Sequence, residues 1–273
     1  MQPNTRPFEL HALPEFRLSQ AEAEAKLAHL ESLPPVPAAE ILPHLDLTTL
    51  QGDDTTERVK DLCAKALAHP VAAVCVYPAF IGTAHHAVRG SGIQVATVAG
   101  GFPHGLSPLV SRVHEVQECV DLGADEIDIV IRREHALKDH WGELYDEVHA
   151  MKNAAGRAHL KVILATGELA DPNRIYRASL VALMAGADFI KTSTGKESVN
   201  ATLWPAGFAM TAALLDFQSA TGQRRGLKPA GGIRTHAEAN LWMHLVRTEL
   251  GEEWVRPERF RIGASGLFDA LTA

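Results

Sequence analysis

Disulfides, aromatic platforms, a basic surplus and membrane-length apolar runs are all missing from this sequence, and each absence removes a class of function. Cysteine occurs three times, at Cys63, Cys75 and Cys119, with no CxxC spacing. An odd, scattered set gives no disulfide framework and fits a reducing compartment. Aromatic residues make up only 6% and do not interleave with basic ones, so nothing suggests a surface for stacking nucleic-acid bases. Acidic residues outnumber basic ones, 33 to 26, for a formal charge of −7, which disfavours a polyanionic partner. No apolar run reaches the roughly 18 residues that a membrane span needs. The first stretch, MQPNTRPFELHALPEF, is polar and broken by proline, unlike a signal peptide. Fourteen histidines invite a metal, but His85 and His86 are adjacent and the rest are scattered without HxH or HExxH spacing. The expectation is a cytoplasmic, soluble protein with no metal, no cofactor, no nucleic-acid partner and no membrane partner.

What is present is a large apolar fraction, 46% of 273 residues, enough for a sizeable core in one large domain or two ordinary ones. Residues 1–37 stand apart. LSQAEAEAKLAHLES (18–32) has helix-forming composition and LPPVP (33–37) reads as a linker, so an N-terminal arm is expected, packed on the surface or on another subunit. Over 38–273 short β-rich runs recur: HLDLTTL, VAAVCVYP, QVATVAG, EIDIVI, LKVILAT, DFIKTST, GLKPAG and RFRIGAS. Amphipathic segments lie between them, such as TERVKDLCAKALA (56–68) and SPLVSRVHEVQECVDLG (107–123). Strands buried on both faces read as continuous apolar runs, as parallel sheets under helices require. Eight β/α units in such a span predict an α/β fold with a single TIM (β/α)8 barrel. The rival, a doubly wound sheet, needs a Gly-rich turn after its first strand, and HLDLTTLQGDD has none.

In such a barrel the chemistry sits at the C-terminal strand ends and the loops that follow. That rule selects Asp46 and Thr48 on strand 1, Asp128 on strand 4, Lys191 on strand 6 and Lys228 on strand 7. Alternation along GADFIKTSTGK (186–196) turns Phe189, Lys191 and Ser193 one way and Ile190 and Thr192 the other. Lys191 is therefore the enclosed lysine, whereas Lys196, past Gly195, reaches solvent from the rim. Burial and a neighbouring cation such as Lys228 both lower an amine's pKa, and a neutral amine can attack a carbonyl to form a Schiff base. A purely structural lysine paired with Asp128 is the alternative. Gly195, Gly231, Gly232 and Gly263 gather at the same rim with Lys196, Arg234 and Ser265, a set suited to holding a phosphate through backbone N–H groups and positive charge. Glu168 reads as a surface acid near a helix.

The motifs GADFIKTSTGK, GADEIDIVI, HLDLTTL, VCVYPAFI, FPHG, GLKPAGGIRT and RIGASGL run in one order over residues 38–268, and together they resemble the deoxyribose-phosphate aldolase family. The resemblance implies a class I, metal-independent lyase that reversibly cleaves 2-deoxy-D-ribose 5-phosphate to acetaldehyde and D-glyceraldehyde 3-phosphate. It implies Lys191 as Schiff-base nucleophile, Asp128 as proton donor and acceptor, and Lys228 as the lysine that perturbs Lys191 and relays protons. Substrate contacts would come from Asp46, Thr48, Gly195, Lys196, Gly231, Gly232, Arg234, Gly263 and Ser265. The partners would be a sugar phosphate and aldehydes, with a homo-oligomer, a dimer, expected. The sequence departs from the family pattern at Ala165, where glutamate is usual, at an extra glycine in VAGGFPHG, and at Gly266 in place of a second serine. Another Schiff-base barrel aldolase of the transaldolase kind, or a barrel that binds a sugar phosphate without turning it over, are the rival functions.

Overall fold

The β-rich runs become eight parallel strands: β1 (Leu45–Thr48), β2 (Ala73–Val76), β3 (Gln94–Ala99), β4 (Glu126–Val130), β5 (His159–Ile163), β6 (Phe189–Lys191), β7 (Gly226–Lys228) and β8 (Ile262–Ala264). The structure, a computed structural model, describes residues 6–273. Strands β1 to β7 pair in chain order and β8 pairs with β1. Parallel bridges Leu227↔Phe260 and Ala230↔Gly263 bring the two ends of the sheet together. Helices alternate with the strands and cover the outside, so the expected (β/α)8 barrel is the fold.

Side-chain parity separates two cores. Residues such as Leu47, Val74, Ile127, Ile129, Leu160, Val162, Ile190 and Leu227 face outward into one large apolar layer shared with the helices. The inward positions divide by chemistry. On the β1–β3 side, Leu50, Ala73, Cys75, Ala96 and Val98 form a small apolar cluster, with Tyr77 and Phe102 packed against it. On the other side the buried inward residues are Asp46, Glu126, Asp128, Lys161, Lys191, Lys228 and Arg261. Phe189 lies among them, its ring centroid 6.0 Å from Lys161 Nζ and 5.8 Å from Arg261 Cζ, distances suited to cation–π attraction. Its neighbour across the ladder is Gly226, where a Cβ would come within 2.3 Å of the Phe189 ring. Glycine is required there by close approach.

Polar caps fix the helix starts. Thr55 accepts from the N–H of Arg58 to open Thr56–Leu67, and Thr235 with Glu238 forms a capping box on His236–Leu250, each satisfying N–H groups that the first turn leaves unpaired. The arm uses the same device, Ser19 with Glu22, to begin the helix Gln20–Ser32. Phe16 sits against Tyr176 and Trp204 with centroids 5.9 and 6.3 Å apart. His236 and His244 donate from Nε2 to the carbonyls of Val36 (2.6 Å) and Pro34 (2.9 Å). The described residues of the arm lie on the outside of their own barrel. The first five residues, part of the stretch read as unlike a signal peptide, lie outside the described residues. Among the described residues no helix is long and apolar enough to cross a membrane.

Candidate active site

Strand β6 carries Lys191 into the barrel, and strand β4, two strands away, carries Asp128 to meet it. Lys191 Nζ lies 2.7 Å from Asp128 Oδ2, and Lys228 Nζ reaches the same oxygen at 2.6 Å. The other Asp128 oxygen faces Lys161 Nζ at 3.2 Å. Lys228 also contacts Asp46 Oδ2 at 2.5 Å. Below, Lys161 pairs with Glu126, and Arg261 ties Asp46 (2.6 Å) to Glu126 (2.8 Å). Buried charges survive only when paired, and here the pairing is collective.

Counting the cluster explains which member is out of balance. The carboxylates are Asp46, Glu126 and Asp128; the cations are Lys161, Lys191, Lys228 and Arg261. Three anions neutralise three cations, so a protonated Lys191 is the fourth positive charge in a closed space. Its pKa accordingly falls below the ordinary lysine value; burial is the main cause, Lys228 adds to it, and the pull of Asp128 does not offset them. Lys228 goes the other way. Burial would lower it, yet Asp128 and Asp46 outweigh burial and hold it above the usual range. Burial alone would raise the carboxyls, but the cations prevail, keeping Asp46 and Asp128 well below normal and Glu126 at about 2. The arrangement sets an amine whose protonation is disfavoured beside one whose protonation is favoured, with the Asp128 carboxylate between them.

This asymmetry makes a prediction with a definite sign. Lys228→Leu removes a positive charge that disfavours protonated Lys191 and frees Asp128 to favour it, so the Lys191 pKa should rise. A reaction that needs the neutral amine fails as pH falls through that pKa. The acidic limb of kcat/KM against pH should therefore move to higher pH in the variant. A limb that stays in place or moves to lower pH would show that Lys228 does not set the state of Lys191.

Above the cluster lies a cleft of about 220 Å³ whose floor is Lys191 and whose walls include Thr48, Gly195, Lys196, Gly231, Gly232, Arg234, Gly263 and Ser265. Larger grooves exist, such as one of about 530 Å³ between the arm and Tyr176, but its lining contains no lysine. Glycines are needed where the rim loops crowd. A Cβ on Gly263 would fall 3.1 Å from Lys228 Cε, and one on Gly231 would fall 2.2 Å from Asn200 Oδ1. Gly231 and Gly232 have φ of +81° and +82°, a conformation glycine adopts without strain. The N–H groups of Gly232 and Ile233 meet no acceptor among the described residues.

One expected placement changes, and others gain partners. Asp46 does not line the cleft; it lies beneath the floor, where Lys228 and Arg261 need a counter-charge more than any substrate does. Gly195 is at the rim, but its N–H already donates to Glu197 Oε2 at 3.1 Å. Lys196 is exposed at the rim as expected, and its Nζ spans the cleft to donate to the Leu50 carbonyl at 2.6 Å. Glu168 is at the surface as expected, where it is ion-paired with Arg133. The sequence reading missed Lys161, Glu126 and Arg261 altogether. The signal was available in EIDIV, where Glu126 shares the inward parity of Asp128; Lys161 and Arg261 gain their meaning only when the strands are side by side.

Comparison with known proteins finds relatives of this chain. A family model described as DeoC/LacD family aldolase matches residues 41–255. The chain is 51% identical over 246 residues to a Mus musculus protein named deoxyribose-phosphate aldolase, covering 83% of this chain and 77% of the mouse protein. It is 49% identical over 246 residues to the Homo sapiens protein of the same name, with 83% and 77% covered. The tetrameric deoxyribose phosphate aldolase of Aeropyrum pernix superposes with a TM-score of 0.70 over 93% of this chain and 97% of its own, at 22% identity, a likeness of fold.

Proposed function

The chain belongs to the DeoC/LacD aldolase family, and from that premise we propose that it cleaves 2-deoxy-D-ribose 5-phosphate reversibly to acetaldehyde and D-glyceraldehyde 3-phosphate through a Schiff base on Lys191. The observation that carries this reading is the surplus amine of Lys191 on the cleft floor, beside Lys228 and Asp128. The neutral amine attacks C1 of the open-chain sugar, and loss of water gives the iminium. Departure of the C3 hydroxyl proton breaks the C2–C3 bond, and the electron pair passes into the enamine of the two-carbon fragment. Glyceraldehyde 3-phosphate leaves; protonation of the enamine at C2 and hydrolysis then release acetaldehyde and restore the amine. Asp128 and Lys228, sharing one hydrogen bond beneath Lys191, carry the protons. The Gly232 and Ile233 N–H groups, with Lys196, Arg234 and Ser265, take the phosphate at the rim, where ionised acceptors gain most from fixed donors. The proposal extends to a cytoplasmic homo-oligomer, a dimer; the tetrameric Aeropyrum protein is a precedent for self-association.

Borohydride reduction with acetaldehyde, followed by peptide mass mapping, tests the reading. A two-carbon adduct is expected on the peptide that holds Lys191. An adduct at Lys228 or Lys196, or the absence of both adduct and cleavage, overturns it.

The phosphate assignment has its own test in Lys196→Ala. A charge-assisted hydrogen bond contributes about 1.5–3 kcal/mol, so kcat/KM for deoxyribose 5-phosphate should drop on the order of 10- to 100-fold. Unphosphorylated deoxyribose never uses that contact, and its kcat/KM should hold. Equal losses for both sugars would place Lys196 in the chemistry or the fold instead.

A further inference from the structure

One group of charges at the rim has no part in the chemistry above. Arg133 begins the short helix Arg133–Leu137 after β4, and its guanidinium reaches three other loops. It donates to the carbonyls of Pro103 (3.1 Å) and His104 (3.0 Å) after β3, and it pairs with Glu168 after β5 and with Glu197 after β6 (3.2 Å). Glu197 is enclosed, its side chain only 2% exposed. Its carboxylate accepts the N–H groups of Thr194 (3.0 Å) and Gly195 (3.1 Å), folding residues 194–197 back on themselves. Asn200 then donates to the Glu197 carbonyl at 2.8 Å, and the Ala201 N–H donates to the Gly231 carbonyl at 3.2 Å.

The loop is wedged as well as tied. A Cβ on Gly167 would fall 2.0 Å from the Val199 carbonyl, and one on Gly231 would fall 2.2 Å from Asn200 Oδ1. The segment 194–201 is thus gripped between the loops after β5 and β7, with the Arg133–Glu197 pair at its head. Lys196 is carried by this segment, and the Gly231–Gly232 turn is its neighbour. A planar guanidinium holds its five donors in a fixed fork and so fixes the relative positions of acceptors from separate loops, whereas a lysine offers a compact charge with rotating donors.

We propose that the Arg133–Glu197 pair is a positioning device that holds the loop after β6 in the shape that receives the substrate's phosphate, and so sets the preference for phosphorylated over unphosphorylated sugar. The proposal rests on the aldolase reading above for the identity of the substrate, but the clamp itself acts on the phosphate alone. Neither residue touches the reacting atoms, so its loss acts on binding rather than on the amine.

Arg133→Leu is the test, with Arg133→Lys and Glu197→Gln beside it. The probes are deoxyribose 5-phosphate, deoxyribose, acetaldehyde with borohydride, and inorganic phosphate titrated by calorimetry. Arg133→Leu should raise KM for the phosphorylated sugar and the Kd for inorganic phosphate roughly 10-fold, the effect of one lost charge-assisted contact. Its kcat, its kcat/KM for deoxyribose and the rate of acetaldehyde trapping should stay within about twofold of wild type. Arg133→Lys should fall between the two, since it keeps the charge and loses the fork. Glu197→Gln retains an oxygen for the N–H groups and should move the same two quantities by a smaller factor; it carries the test if Arg133→Leu does not fold. Equal losses for both sugars, or an unchanged phosphate Kd, would overturn the clamp. Wild-type protein that neither cleaves the sugar phosphate nor traps acetaldehyde would sink the aldolase reading instead, while the phosphate Kd would still decide the clamp.

Discussion

Lys191→Met should lose cleavage by roughly 10⁴-fold or more in kcat while melting at or above the wild-type temperature. The two halves of that result come from one count. Methionine has nearly the length of lysine and no charge, so it fills the same space on the cleft floor without a new cavity. It also leaves three carboxylates facing three cations, Lys161, Lys228 and Arg261, which is the balance the interior favours. Without the amine there is no carbonyl adduct, and borohydride with acetaldehyde should leave the peptide unlabelled. Replacing a buried ion by an apolar side chain is often neutral or stabilising when the remaining charges stay paired. Calorimetric Tm and turnover measured on one preparation check both parts. Retained turnover would remove Lys191 from the mechanism, and a collapse in Tm would make it a structural lysine.

Asp128→Asn has the second-largest expected effect, a fall of about 10²–10⁴ in kcat, with a pH signature that separates it from simple damage. Asp128 is the carboxylate in contact with Lys191, at 2.7 Å, and it favours the protonated amine. Its neutralisation should lower the Lys191 pKa further. Because the neutral amine is what attacks, imine trapping by acetaldehyde should then extend to more acidic pH than in wild type. The sugar, in contrast, still needs a group to accept and return the hydroxyl proton, and the asparagine amide does not. Trapping retained at low pH with turnover lost is the expected pair of observations. Near-normal turnover would exclude Asp128 from proton transfer, and trapping shifted toward alkaline pH would contradict the charge count.

The barrel and the cleft were legible in the sequence to different depths. Eight β/α alternations and continuous apolar strands were enough for the fold, because parallel strands covered by helices have few other solutions. Lys191 was legible because FIKTS sets a cation between buried neighbours on a strand of known parity. Asp46 was found but assigned upward to the substrate. Nothing in HLDLTTL reveals that Arg261, arriving from the far end of the chain, would claim it from below. Lys161 escaped for the same reason: LKVILAT is one charge in an apolar strand, and its meaning appears only when β4 and β1 bring carboxylates to it. The tethering of the loop after β6 was invisible, since Arg133, Glu168 and Glu197 are ordinary charged residues until three separate loops converge.

The interior charge cluster also dictates an order of events in making the protein. Asp46 lies on the first strand and its partner Arg261 comes 215 positions later, just before the last strand. While the chain is being synthesised, β1 lacks both a ladder neighbour on that side and the guanidinium that balances Asp46 and Glu126. Closing so long a loop is slow and is rewarded only once the distant contacts form. A nascent chain can therefore collect its outer helices against the early strands, but it cannot seal acids into a closed ring. Emergence of the segment that holds Arg261 and β8 supplies hydrogen bonds and counter-charge together, so the barrel is completed only after that segment has been made.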